Sequence, residues 1–322
     1  MRRRSPVPPA PLPQRDGIDA VRVRLPADPG GVWGTVGDHL VARFGGAIGA
    51  GRVAEMLGAG RFVGLEGALS GDEPYVAGRY VWFHRDFAPE VRVPFEVRIV
   101  HRDERIVIAD KPHFLATTPR GQHITETALA RLRRELGLPA LQPAHRLDRL
   151  TAGLVLFVVR PEDRGAYQGL FSGRRVHKEY EAVAPYDPDV ALPVVVRSRI
   201  VKERGVQTAR EVPGAVNAES RIELVERRGG LGRYRLLPAT GRTHQLRVHM
   251  HGLGLPILHD PLYRGGGGAV GAQEPGGADA EDFGAPLQLL AKVLAFRDPV
   301  DGRERRFESG LRLAAWPGAA AG

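Results

Sequence analysis

The sequence predicts an α+β fold in two units, with a mixed, mostly antiparallel sheet in the larger one. Three observations carry that expectation. Segments with a strand's alternation and segments with helical spacing follow one another without regular βα alternation, which argues against a doubly wound parallel sheet. Residues 153–159 (GLVLFVV) form an uninterrupted apolar run, best read as a buried strand. At 322 residues the chain is longer than one core usually needs.

Residues 1–17 are rich in proline and arginine and are expected to form an unpacked tail. A small unit is expected over 18–88: a strand at Val21–Leu25, a helix at Thr35–Phe44 with Val36, Leu40, Val41 and Phe44 on one side, a second short helix at Val53–Leu57, and a closing strand at Tyr75–Phe83. Pro89 and Pro94 bracket a linker, and the larger unit, 89–316, follows. It opens with strands at Val97–Val100 and Ile106–Ala109. A helix comes next near 123–136, with Leu129, Leu132 and Leu136 facing the core and Gly137 and Pro139 as stop signals. After the buried run, Pro161 starts a helix with Glu162 and Asp163 in its first turn and an apolar side made by Ala166, Leu170 and Phe171. Strands are expected at Val176–Ala184, 219–226, 233–238 and 288–296, and a short helix at 243–251. Residues 264–286 are of low complexity and read as a surface loop, since Gly265–Gly268 lacks the spacing of a phosphate loop.

There is no cysteine, which excludes disulfides, thiolate nucleophiles and cysteine-based clusters. No apolar stretch approaches the length of a membrane-spanning helix, and the start, MRRRSPVPPAPLP, lacks the apolar core of a secretory signal. A cytoplasmic monomer is the expectation. Formal charge is +9, and of the 46 basic residues only Lys111, Lys178, Lys202 and Lys292 are lysines. Arginine's planar fork suits phosphates and base edges, so a polyanionic partner fits, as does a compositional bias of the genome.

The segment with most chemistry is His145-Arg146-Leu147-Asp148-Arg149-Leu150-Thr151-Ala152-Gly153. It sets a carboxylate, Asp148, just before the buried strand and between two arginines, which favour its ionised form. Such a group can serve as a nucleophile or stabilise a developing cation, and it can equally be half of a structural salt bridge.

This segment resembles the HRLD-x-x-T-[SA]-G-L signature of RluA-type RNA pseudouridine synthases. Further blocks match that family in order: Ala109-Asp110-Lys111-Pro112, Lys178-Glu179-Tyr180, the run from Thr240 to Met250 (TGRTHQLRVHM), and His259-Asp260-Pro261-Leu262-Tyr263. The resemblance covers roughly residues 95–310. It implies a pseudouridine-synthase-like domain with a central cleft, acting on uridine in ribosomal or transfer RNA without cofactor or metal. Asp148 matches the catalytic aspartate that helps break the C1′–N1 bond. Tyr180 matches the active-site tyrosine, a stacking platform whose hydroxyl helps remove the C5 proton. Arg247 matches the arginine that pairs with the aspartate. Arg146 stands where the subfamily inserts a side chain into the gap left by the flipped base. His145, Arg149, Lys111, Lys178, Arg242 and His244 are the expected RNA contacts. The N-terminal unit resembles, through TVGDHLVARF and PYVAGRYVWF, the small S-four-like RNA-binding domain that often precedes this catalytic domain.

Plainer readings stand beside these. Tyr180 suits a core position in a strand, and Lys111 suits a strand-end charge. His244, Arg247 and His251, with His249 and Asp260, suggest a metal cluster, though no metal-binding motif supports one. The sequence departs from the family at Ala152, where many members have serine, and at Lys292, where others often have histidine. A non-catalytic RNA-binding protein on the same scaffold is the main alternative; the triad of Asp148, Tyr180 and Arg247 disfavours it. A glycoside hydrolase would need a second carboxylate that the matching blocks lack.

Overall fold

The computed structural model describes residues 8–264 and 282–317. The chain divides into two units, Met1–Pro89 and Glu90–Gly322. The first contains β1 (Val21–Arg24), α1 (Val36–Ile48), α2 (Ala50–Gly58), β2 (Val63–Gly64), β3 (Gly67–Ala68) and β4 (Tyr80–Phe83). Its four strands form one antiparallel sheet in the order β1-β4-β2-β3. A capping box starts α1: the Thr35 hydroxyl accepts from Asp38 N at 3.1 Å, and the Asp38 carboxylate accepts from Thr35 N at 2.9 Å. Leu40, Val53, Met56, Phe62, Val81 and Phe83 close the core of this unit. The closing strand is shorter than the alternation of Tyr75–Phe83 suggests. Tyr75 N donates to Gly34 O and Gly78 turns the chain at φ +85°, so the regular strand begins only at Tyr80. Near the N-terminus, Arg15 and Ile18 exchange backbone hydrogen bonds and His84 Nε2 lies 3.0 Å from Pro13 O.

The second unit is built on one large sheet. In chain order its elements are β5 (Arg98–Arg102), β6 (Ile106–Lys111), α3 (Ala128–Leu136), β7 (Gln142–Pro143), β8 (Ala152–Val158), α4 (Arg164–Ser172), β9 (Val176–Pro185), β10 (Val194–Val201), β11 (Arg210–Val212), β12 (Ala218–Arg228), β13 (Leu231–Pro238), α5 (Gln245–Gly252), β14 (Leu289–Arg297) and β15 (Glu304–Glu308). The strand order is β11-β10-β12-β13-β9-β14-β8-β6-β5, with β15 on β14 and β7 on β8. Pairing is antiparallel except where β14 meets β8, so the sheet is mixed and mostly antiparallel, as the sequence predicts. Every residue of β8 is buried. Each large aliphatic side chain there contributes about 1.5–3 kcal/mol by leaving water.

Two helices start later than the spacing suggests. The segment 124–126 is not helical, because the Glu90 carboxylate takes the backbone N–H groups of Ile124, Thr125 and Glu126 at 2.8–3.0 Å. Thr127, extended at φ −135°, then caps α3 by accepting from Ala130 N, and left-handed Gly137 ends it. Pro161 opens a 3-10 turn, and α4 begins only at Arg164. The expected loop at 264–286 falls mostly on 265–281, outside the described residues.

Candidate active site

Asp148 sits in a turn that leads into β8, and its carbonyl accepts from Thr151 N at 3.1 Å. Buried Thr117 and Lys111 and half-buried His113 grip that turn through its backbone. Thr117 Oγ1 accepts from Leu147 N at 3.1 Å and donates to Leu147 O at 2.9 Å. Lys111 Nζ donates to Arg149 O at 3.2 Å, and His113 Nδ1 donates to Leu150 O at 2.7 Å. The strand then passes so close to β14 that a Cβ on Gly153 would lie 2.3 Å from Ala291 O; Gly153 also has φ +112°, so only glycine fits. The Asp148 carboxylate itself is 31% exposed and accepts no protein hydrogen bond among the described residues.

Lys111, an expected RNA contact, points into the protein. It is fully buried, and its Nζ reaches Pro112 O at 2.9 Å and Leu115 O at 2.8 Å besides Arg149 O. Burial brings its pKa down to about 7, with the charge of Asp148 pulling the other way. His145, partly exposed at a neighbouring cavity, also engages the protein. Its Nε2 accepts from Leu156 N at 3.1 Å and its ring stacks on Phe171 with centroids 4.2 Å apart. Burial lowers its pKa to about 3, so the ring is neutral and cannot pair with a phosphate as a cation.

The opposite wall is the loop 240–244 and the start of α5. The Gln245 amide locks this loop: its oxygen accepts from Thr240 Oγ1 at 2.7 Å and Arg242 N at 3.0 Å, while its nitrogen donates to Glu219 O and Ser220 Oγ. The family resemblance implies that Arg247 pairs with Asp148. The partner that holds the guanidinium is instead Asp260, which accepts from Nε and Nη2 at 2.7 Å each, both residues being about 1% exposed. Asp260 Oδ1 also accepts from the backbone of Leu262 and Tyr263. Burial works against the Arg247 cation, but the bonds to Asp260 and the charges of Asp260 and Asp148 outweigh it and raise its pKa. Asp148 thus meets Arg247 through its field, not through an ion-pair contact.

The two walls enclose a cavity of about 160 Å³ lined by Arg146, Asp148, Lys178, Tyr180, Arg242, His244 and Arg247. Tyr180 lies on β9 with Leu236 and Ala291 as its neighbours on β13 and β14. Burial and the charge of Asp148 push its phenol well above the ordinary value, which keeps it protonated. Lys178 Nζ donates to Thr240 O at 3.2 Å, and Arg242 Nε donates to Asn217 O at 3.2 Å. The Arg146 side chain is exposed and makes no hydrogen bond or ion pair among the described residues. Arg149 lines an adjoining cavity of about 490 Å³, with its Nη1 3.5 Å from Phe114 O. The residues of the metal alternative separate: His249 meets Ser198 at 3.1 Å, Asp260 meets Arg247, and His244 Nδ1 meets the Tyr263 hydroxyl at 2.9 Å. Asp260, Thr117 and His113 belong to the site's framework without having been singled out for it. For Asp260 the His259–Tyr263 block was the available signal; for Thr117 and His113 the sequence carries none.

The sequence model described as RNA pseudouridylate synthase matches residues 105–252. The dual-specificity RNA pseudouridine synthase RluA of Pasteurella multocida is 32% identical over 216 residues, covering 63% of this chain and 87% of the relative. The mitochondrial tRNA pseudouridine(32) synthase of Saccharomyces cerevisiae is 30% identical over 184 residues, 56% of this chain. The chain spans only 39% of that yeast relative's length. Among solved structures, Human RNA Pseudouridylate Synthase Domain Containing 4 is 26% identical with a TM-score of 0.51, covering 67% of this chain and 88% of that one.

Proposed function

The chain belongs to the RluA-type RNA pseudouridylate synthase family, and on that premise we propose that it converts uridine to pseudouridine in ribosomal or transfer RNA. The observation that supports this best is the Asp148 carboxylate, held by its backbone at the edge of a small cavity between Tyr180 and Arg247. In the reaction the C1′–N1 bond breaks, uracil turns, and C5 bonds to C1′ while the C5 proton leaves and N1 gains one. Nothing is oxidised or reduced, so the chemistry calls for no redox cofactor. Asp148 attacks or stabilises C1′ as the glycosidic bond opens. Tyr180, protonated at rest, serves as a stacking platform and hydrogen-bond donor; it can take the C5 proton only by passing on its own. The Arg247 guanidinium, fixed by buried Asp260, sets a cation near Asp148.

Arg146 enters the space vacated by the flipped base, and Lys178, Arg242 and Arg149 contact the backbone around it. The N-terminal unit acts as an S-four-like RNA-binding module, and the protein works as a cytoplasmic monomer. The test is direct. The purified chain and Asp148→Asn are incubated with RNA from a strain that lacks the gene, and pseudouridines are mapped. New sites made by the wild type and not by a folded Asp148→Asn support the reading. Tight RNA binding with no new pseudouridine from the wild type would instead favour the non-catalytic RNA-binding protein.

A further inference from the structure

His244, an expected RNA contact, also meets two groups of the protein. It precedes α5 in a left-handed conformation, φ +56°, that side chains other than glycine's seldom adopt. This conformation places its ring between Asp148 and Tyr263, with the side chain only 10% exposed. Nε2 lies 3.9 Å from Asp148 Oδ2, and Nδ1 lies 2.9 Å from the Tyr263 hydroxyl.

The hydroxyl has one hydrogen to give and two lone pairs to offer. It accepts from Ala209 N at 2.7 Å and donates to Ala209 O at 3.0 Å, which leaves one lone pair for the ring. If it turned to donate to Nδ1, it would take the hydrogen from Ala209 O, on a residue that is 1% exposed, and a buried carbonyl would lose that donor. Nδ1 is therefore the donor toward Tyr263. With Nδ1 protonated, a second proton on Nε2 sets a positive charge 3.9 Å from Asp148 Oδ2, a separation for charge attraction and not for a hydrogen bond.

We infer that His244 is a positioning residue for Asp148: oriented by the Tyr263 hydroxyl, its imidazolium holds the carboxylate toward the reacting sugar. The inference rests on the synthase reading of the site. Other charges face the ring too. Arg149 and Arg146 share its cavity with Lys202, and buried Arg247 lies 5.1 Å from the Tyr263 ring with Asp260 as its partner; the cations oppose the imidazolium, and Asp148 favours it.

Two measurements decide. Histidine ring signals of the free protein are followed by NMR from about pH 5 to 9, with the His244 signal identified by its loss in His244→Gln. The expected result is a His244 titration curve that moves to lower pH in Asp148→Asn, because the favouring charge is gone. A curve that stays in place overturns the pairing. In the second measurement, pseudouridine formation is timed in single turnovers at saturating RNA. His244→Gln should be slower by roughly tenfold or more, and should lose the decline that the wild type shows as pH rises through the imidazolium's titration. His244→Asn, which tolerates the left-handed backbone, should behave alike and guards against misfolding. Tyr263→Phe should bring the decline to lower pH, which a merely structural role would not do. Weaker RNA binding with an unchanged saturated rate would make His244 an RNA contact and overturn the inference. If the wild type forms no pseudouridine at all, the synthase reading fails, while the NMR titration still judges the pair.

Discussion

Asp148 and Arg247 face the same cavity and are held by opposite means. The turn that carries Asp148 is fixed through its backbone, by Thr117, Lys111 and His113, and its carboxylate is left partly exposed. Arg247 is fixed through its side chain, in a buried two-bond pair with Asp260. Backbone clamps position a reactive group without consuming its lone pairs. A side-chain pair immobilises a charge but commits its donors. The difference fits a division of labour in which Asp148 reacts and Arg247 supplies a field.

The largest effect should come from the uncommitted partner. Asp148→Asn removes the charge and keeps the shape, so the single-turnover rate should fall by at least about 10³-fold while the melting temperature changes little. A large loss of stability would mean that the carboxylate is structural after all, and the contrast with Arg247 would collapse.

The committed wall should fail differently. Asp260→Asn strands a buried guanidinium, and removing one partner of such a pair costs about 3–5 kcal/mol. Urea unfolding should show that loss even without RNA. A loss well under 1 kcal/mol would mean that the pair relaxes into solvent.

The clamp on the Asp148 turn should give an intermediate effect. Lys111→Met deletes the donor to three carbonyls and should cost about 1–3 kcal/mol, with a slower chemical step at saturating RNA. Its pH dependence has a defined sign. The folded pKa, brought down to about 7, lies below the lysine's ordinary value, so between the two the unfolded chain binds more protons. Wild-type stability therefore gains from Lys111 as pH rises through that window, and the gain is complete once the unfolded lysine also deprotonates. Lys111→Met should lack this contribution. Identical pH slopes for the two proteins would show that the buried amine does not titrate there.

The same contrast shows what could be read from the sequence. The apolar or alternating runs of β6, β8 and β9 were legible because their burial follows from their own residues. The start of α3 was not, because the side chain that claims its preceding N–H groups is Glu90, some 34 residues away from Ile124. No expected strand corresponds to β10, β11 or β15: β11 and β15 bury none of their residues, and β10, though paired to β11 and β12, buries only Ile200, so none carries a strong apolar signal. In the site, Asp148, Tyr180 and Arg247 came from the motif blocks and do meet in one cavity. For Lys111 and His145 the motif does not show what the side chain meets, because a basic residue looks the same whether its partner is a phosphate or a backbone group. Only the fold shows three carbonyls around one and an N–H donating to the other.

Arg146 supplies the finest test, because it lies on the Asp148 turn yet no clamp holds its side chain. Its exposed guanidinium makes no hydrogen bond or ion pair among the described residues, so charge pairing with Asp148 is not what it does in the free protein. Flipping a stacked uridine costs a few kcal/mol, and a guanidinium that fills the gap offsets part of that. An unstructured oligonucleotide has little stacking to lose, so a plug helps it little. Arg146→Ala should therefore slow single-turnover conversion of a stem-loop by about tenfold more than conversion of an unstructured strand with the same uridine, a difference of about 1.4 kcal/mol. The Asp148 turn should stay in place, since none of its backbone clamps involves Arg146. Equal slowing on both substrates would mean that Arg146 acts on the chemical step through Asp148, and the free side chain would have to find the carboxylate only once RNA is bound.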